Sequence, residues 1–193
     1  MKKLFLLVML ICLACMVSNA QNASGNCYRG FIDIGYDVGN GDYDFGRFVI
    51  NTTHGYQFNP YIFLGAGAGF HFMSTYETKG SSDIPLDIRE SKVDIPIYAN
   101  AHMNFTKGKI APFIDGKAGT FVTNNGGMFW NLSVGCRIAT NAKQAVNISI
   151  GYAVEKLEFE TFDRFLNYSS MDYTREPRVQ NAECVTLRVG YEF

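Results

Sequence analysis

From residue 28 to its last residue this chain alternates, and one of its two parity classes is almost free of charge. In the stretch 61–73, Ile62, Leu64, Ala66, Ala68, Phe70 and Phe72 share one face, while Tyr61, Phe63, Gly65, Gly67, Gly69 and His71 share the other. Successive side chains of a β-strand point to opposite sides, so a stretch like this is a strand with two chemically different faces. Period-2 patterning of this kind, bounded by turn residues, predicts eight strands at 28–38, 45–58, 61–73, 92–105, 110–122, 128–138, 145–158 and 183–193.

The charges sort by parity. Arg29, Asp33, Asp37, Arg47, Asp94, Asp115, Lys117, Arg137, Glu155, Arg188 and Glu192 all lie on the face opposite the apolar one, six acids and five bases. The central part of the apolar face carries no Asp, Glu, Lys or Arg. Alternation alone does not say which face is inside, because a soluble ligand-binding barrel would turn the apolar face inward. Three features favour the reverse. The charged face is rich in glycine (Gly35, Gly65, Gly67, Gly69, Gly119, Gly135, Gly151 and Gly190), which suits a cramped lumen better than a solvated surface. The same face carries Phe31, Phe63, Tyr98, Phe113 and Phe129, poor choices for water. The links at 59–60, 106–109 and 139–144 are tight and those at 74–91 and 159–182 are long, the pattern of outer-membrane barrels, although 39–44 and 123–127 are short as well. A basic side chain on the lipid face of such a barrel costs about 2–4 kcal/mol at mid-membrane, enough to sort charges this way.

Composition excludes other classes. With 193 residues the chain has room for one domain or two very small ones, and 17 basic against 18 acidic residues exclude a strongly basic nucleic-acid binder. Met1-Lys2-Lys3, the apolar run Leu4–Val17 and the small residues Ser18 and Ala20 make a secretory signal, too short for a membrane-spanning helix. The expected organisation is a cleaved signal over 1–20 and a barrel over 21–193. Cys27, Cys136 and Cys184 then remain, an odd number at wide spacing that suggests no disulfide framework, metal site or cofactor, only small apolar residues.

Only helices and closed barrels cross a bilayer, and eight is an even strand number, so the expected fold is all-β: an eight-stranded antiparallel up-and-down transmembrane β-barrel. With the N-terminus in the periplasm, the long links fall outside the cell. The stretches Gly55–Phe70, Ile95–Asn100, Pro112–Asp115 and Leu187–Phe193 resemble those of the small eight-stranded outer-membrane β-barrel family, broadly OmpA/OmpX-like or OmpW-like. The resemblance implies outer-membrane localisation, lipid as surroundings, and assembly machinery as a partner that reads the ending with Tyr191 and Phe193. It leaves function open, since the family is used for anchoring, adhesion, narrow passages and occasional lipid enzymes.

An eight-stranded barrel is just wide enough for its own side chains to fill, so lumen charges must pair. Counting back from the turns sets Asp37 opposite Arg47 and His71 opposite Asp94. Closing the last strand onto the first sets Asp33 against Arg188 and Arg29 against Glu192. With His71, the eleven charges form the candidate lumen network, read either as a salt-bridged plug or as an ion or proton path. His71 near Asp94 could be a base with its orienter, but the pattern places no nucleophile, and no enzyme is expected. In the link 159–182, Phe162, Phe165, Tyr168, Tyr173 and Arg175 form a candidate interaction surface for an extracellular ligand or surface partner. The expected function is a closed barrel serving a structural or surface-interaction role. The alternative is a narrow porin-like passage for small or apolar solutes.

Overall fold

The computed structural model describes residues 27–79, 85–141, 144–164 and 173–193. The expected signal segment and the loop residues Phe165 and Tyr168 lie outside the described residues. The described chain is all strand and turn: β1 Cys27–Asn40, β2 Arg47–Gln57, β3 Ile62–Met73, β4 Tyr76–Lys79, β5 Pro85–Arg89, β6 Val93–Asp94, β7 Pro96–Asn104, β8 Ile110–Phe121, β9 Met128–Ala139, β10 Ala145–Arg164 and β11 Tyr173–Glu192. Neighbouring strands pair antiparallel, and β11 pairs with both β10 and β1, which closes the sheet. β6 and β7 form one stave against β3, broken before Pro96. Proline has no N–H to give the ladder. Around that break Ile95 turns to the next strand connection, its N–H donating to Thr123 Oγ1 and its carbonyl accepting from Val122. The wall therefore has eight staves, as the alternation predicts.

The outer face is the uncharged parity class. Ile34, Tyr36, Leu64, Ile97, Trp130, Leu132, Val134, Ile150, Leu187 and Val189 are all exposed, at 46% or more. The opposite class is buried, and much of it is polar. This wall makes sense only with lipid around it.

The two ends differ. At one end the connections are tight. Asn59 Oδ1 accepts from the N–H groups of Tyr61 and Ile62 at 2.8 and 2.9 Å, an Asx turn around Pro60. Thr140 N–H donates to Gln144 O at 2.9 Å. At the other end β10 and β11 run on well past the rim, paired from Ala145–Glu192 out to Arg164–Tyr173. The 159–182 link, expected to be a loop, is thus mostly hairpin. Its ladder groups satisfy one another outside the wall, with 158–162 continuing the strand that the alternation begins at 145. The 74–91 link also contains a hairpin, β4–β5, whose strand β5 joins β10 through Ile88–Thr161 neighbours in the ladder (Glu160 opposite Ile88, Thr161 opposite Asp87).

One expected register is corrected. Asp37 does lie opposite Arg47, and His71 opposite Asp94. At the seam, however, Asp33 lies opposite Gly190, Arg188 opposite Gly35, and Glu192 opposite Phe31. This closure is shifted by two residues from the one that opposes Asp33 to Arg188. A shift of two keeps every side chain on its face, so the alternation cannot detect it. Steric fit decides instead. Arg188 lies over Gly35 and Asp33 over Gly190, and a Cβ added to Gly35 would come within 2.6 Å of Arg188 Cγ.

Candidate functional site

The lumen is the site, and it is filled in layers. At the tight-turn end, Arg137 grips Glu192 with a two-pronged contact, Nε at 2.7 Å and Nη2 at 2.9 Å, and Arg29 pairs with the same carboxylate. The Arg29–Glu192 contact thus forms, although diagonally across the shifted register. Above it, Phe31, Phe63 and Phe113 pack around His102, with Phe113 at 4.5 Å between ring centroids. Asp115 accepts from Asn100 Nδ2 at 2.8 Å and meets His102 Nδ1 at 3.2 Å. Lys117 Nζ lies 2.6 Å from Asp33 and 3.9 Å from Asp115.

Beside this layer lies a cavity of about 20 Å³, lined by Asp33, His102, Asp115, Lys117, Arg188 and Ser149 among others. A space of about 10–15 Å³ holds one water, so this cavity has room for about one.

Higher up, Tyr98 stands between Gly67 on β3 and Gly119 on β8 and bonds Thr53 Oγ1 at 2.9 Å. Then comes the most deeply buried charge cluster. Arg188 Nη2 lies 3.4 Å from Asp37, Arg47 Nε lies 3.4 Å from Glu155, and His71 Nδ1 lies 3.0 Å from the other Glu155 oxygen. Asp37, Arg47 and Glu155 are 0% exposed. Opposed neighbours on the wall are therefore not the ion partners here. Arg47 ignores Asp37 and reaches Glu155, three staves away, because in so narrow a lumen the far wall is as close as the ladder neighbour. The expected His71–Asp94 pair does not form either. His71 turns to Glu155, and Asp94 is held by Arg89 at 2.5 Å and by Asn124 Nδ2 at 2.6 Å.

Arg89 is the residue the sequence reading missed. It belongs to β5, in the link beyond the rim, and its side chain drops back into the lumen, where it is 2% exposed. A signal existed: six acids against five bases left one carboxylate without a partner, and Arg89 is the sixth base.

A second omission is the roof. Phe45, Met73, Phe121, Phe129, Leu157 and Phe159 form an apolar cluster over the charged layers, with Tyr43 and Tyr76 packed against it. The Arg47 guanidinium lies 4.3 Å from the Phe45 ring centroid, and Tyr43 and Phe159 rings lie 4.4 Å apart. Polar ties fasten the roof. Tyr43 Oη donates to Asp87 at 3.2 Å, Tyr76 Oη donates to Asp42 O, and Ser74 N–H donates to Gly46 O at 3.2 Å. Burial and then the Asp87 carboxylate push the Tyr43 hydroxyl up to about 12.

Of the candidate loop surface, Phe162 lies on β10 and Tyr173 and Arg175 on β11, with Phe162 opposite Arg175. Tyr191 is exposed on the outer wall, while Phe193 is half-buried at the seam.

A closed sheet with an apolar outer wall and a salt-bridged interior defines an integral membrane barrel. Residues 5–193 match the family model described as outer membrane protein beta-barrel domain, and the chain belongs to that family, which places it among outer-membrane barrel proteins. Among solved structures, Neisserial surface protein A is similar in fold, at 13% identity and a TM-score of 0.51 over 88% of this chain and 98% of that one. The outer membrane protein OprG from Pseudomonas aeruginosa matches at 12% identity and a TM-score of 0.47, over 88% and 96%. No curated protein matches the sequence.

Proposed function

We propose that this chain is a closed, non-enzymatic outer-membrane barrel that presents its β4–β5 and β10–β11 hairpins outside the cell as a structural or surface-interaction platform. The observation that carries this reading is the filled lumen. Ion pairs, aromatic rings and the roof follow one another from Glu192 to Phe159, and the lining cavity of about 20 Å³ holds about one water. A wall this full has little to offer a passing solute, whereas the rim hairpins are long, paired and tied to the roof. In this reading the tight turns face the periplasm, outer-membrane lipid covers the wall, and an extracellular ligand meets the hairpins.

Two arms test it. An epitope inserted in 165–172 is accessible to antibody on intact cells, and one inserted in 141–143 becomes accessible only after permeabilisation; the reverse pattern overturns the display. Proteoliposomes carrying the refolded protein do not swell in iso-osmotic glycine or arabinose. Rapid swelling would favour the narrow passage.

A further inference from the structure

The seam between β11 and β1 joins the two ends of the described chain, so it is the pairing with the largest sequence separation and the largest closure cost. It is also poorly specified by pattern. A slip of two residues keeps every face and brings Asp33 opposite Arg188 and Arg29 opposite Glu192, an attractive alternative that the chain does not adopt. Something selects against it.

We propose that Phe193, seated on Gly30, is the latch that closes the barrel and fixes its register. Gly30 and Phe193 exchange both backbone hydrogen bonds, each at 2.9 Å, and so face each other directly. The ring then leans across the lipid-facing side of β1. A Cβ on Gly30 would lie 2.5 Å from Phe193 Cζ and 2.6 Å from Cε2, closer than such atoms approach, so the seat exists only because residue 30 is glycine. Beyond the seat the ring meets His54 on β2, 6.2 Å away and at 70°, and Tyr191 at 6.3 Å. His54 is itself held by Tyr28 Oη at 2.5 Å and Thr52 Oγ1 at 2.9 Å. The last residue thereby ties three staves together on the outer wall. In the slipped register Phe193 would face Tyr28, where no seat exists. Steric fit at this position opposes the charge pairing that favours the slip.

The test is an exchange of bump and hole, in a background with Cys27, Cys136 and Cys184 replaced by Ser. Closure in the native register is read by the disulfide yield of Ile34→Cys with Val189→Cys, which are opposed in the structure and away from the Phe193 ring. The slipped register is read by Ile34→Cys with Leu187→Cys, and overall folding by the migration of unheated protein on gels. Gly30→Val lowers the native cross-link by roughly fivefold or more, because overpacking expels the ring. Phe193→Ala, which removes the ring and leaves the seat empty, lowers the native cross-link to a similar extent and raises the slipped one. Adding Gly30→Val to it lowers the native cross-link no further, which shows that both substitutions act at the seat and not through general misfolding. A native cross-link of wild-type yield in Gly30→Val would overturn the proposal. So would a Phe193→Ala chain that keeps the wild-type native cross-link and shows no slipped one.

Discussion

The two ends of the lumen hold the same chemistry under different conditions. At the roofed end, Glu155 lies between Arg47 and His71 with every side chain in the group 1% exposed or less. At the tight-turn end, Glu192 lies between Arg137 and Arg29, whose side chains keep 12% and 20% of their exposure. A buried ion that loses its partner cannot recover hydration, while one near an opening can. The contrast teaches that the roof, more than the ion pairs, decides how much each pair matters.

Three substitutions test that contrast. Glu155→Ala strands the Arg47 guanidinium beneath the roof, takes away the partner of His71, and lowers stability by about 3–5 kcal/mol. Urea unfolding from lipid vesicles, followed by the fluorescence of the single tryptophan, Trp130 on the outer wall, measures it. Arg89→Ala leaves Asp94 with Asn124 alone and frees β5 from the lumen. Hydrogen exchange at 85–89 then quickens by roughly 30-fold, equivalent to about 2 kcal/mol of local opening, while exchange in β8 and β9 stays unchanged. Glu192→Ala, at the open end, costs about 1.5–2 kcal/mol because its arginines relax into water. Equal losses for Glu155→Ala and Glu192→Ala would break the comparison.

The smallest effect concerns the roof's polar tie. The Tyr43 hydroxyl titrates at about 12 in the folded chain against an ordinary value of 10.0. A raised value means that folding favours the protonated phenol. Its contribution is therefore whole below pH 10, declines as pH rises, and is gone above about 12. Tyr43→Phe should remove the alkaline step in roof stability over that window and change little at neutral pH, as an alkaline titration with hydrogen exchange at β4–β5 will show. An alkaline step of unchanged size in Tyr43→Phe would assign it to another group.

The wall was legible in the sequence because lipid imposes a single rule on each outward position, and alternation records it residue by residue. Ile34, Leu64, Ile97 and Leu187 announce their face without help from distant parts of the chain. What stayed hidden depends on long-range fit. The seam register turns on which glycine lies under Arg188 and under Phe193, and a two-residue slip leaves no trace in the pattern. The ion partners were misread because ladder neighbours were counted, whereas Arg47 and His71 reach Glu155 across the axis. The roof was overlooked because Phe121, Leu157 and Phe159 are apolar on the inward parity, which breaks the contrast between faces at that end. Arg89 sits in a hairpin of mixed charge, and only the unequal count of acids and bases pointed to it.

Single-channel recording in planar bilayers tests the closed lumen most directly. The refolded wild-type chain, with its roof and all its ion pairs intact, should give no resolved current steps in concentrated potassium chloride at either polarity. Reproducible steps from the correctly folded wild-type protein would contradict a lumen filled by its own side chains.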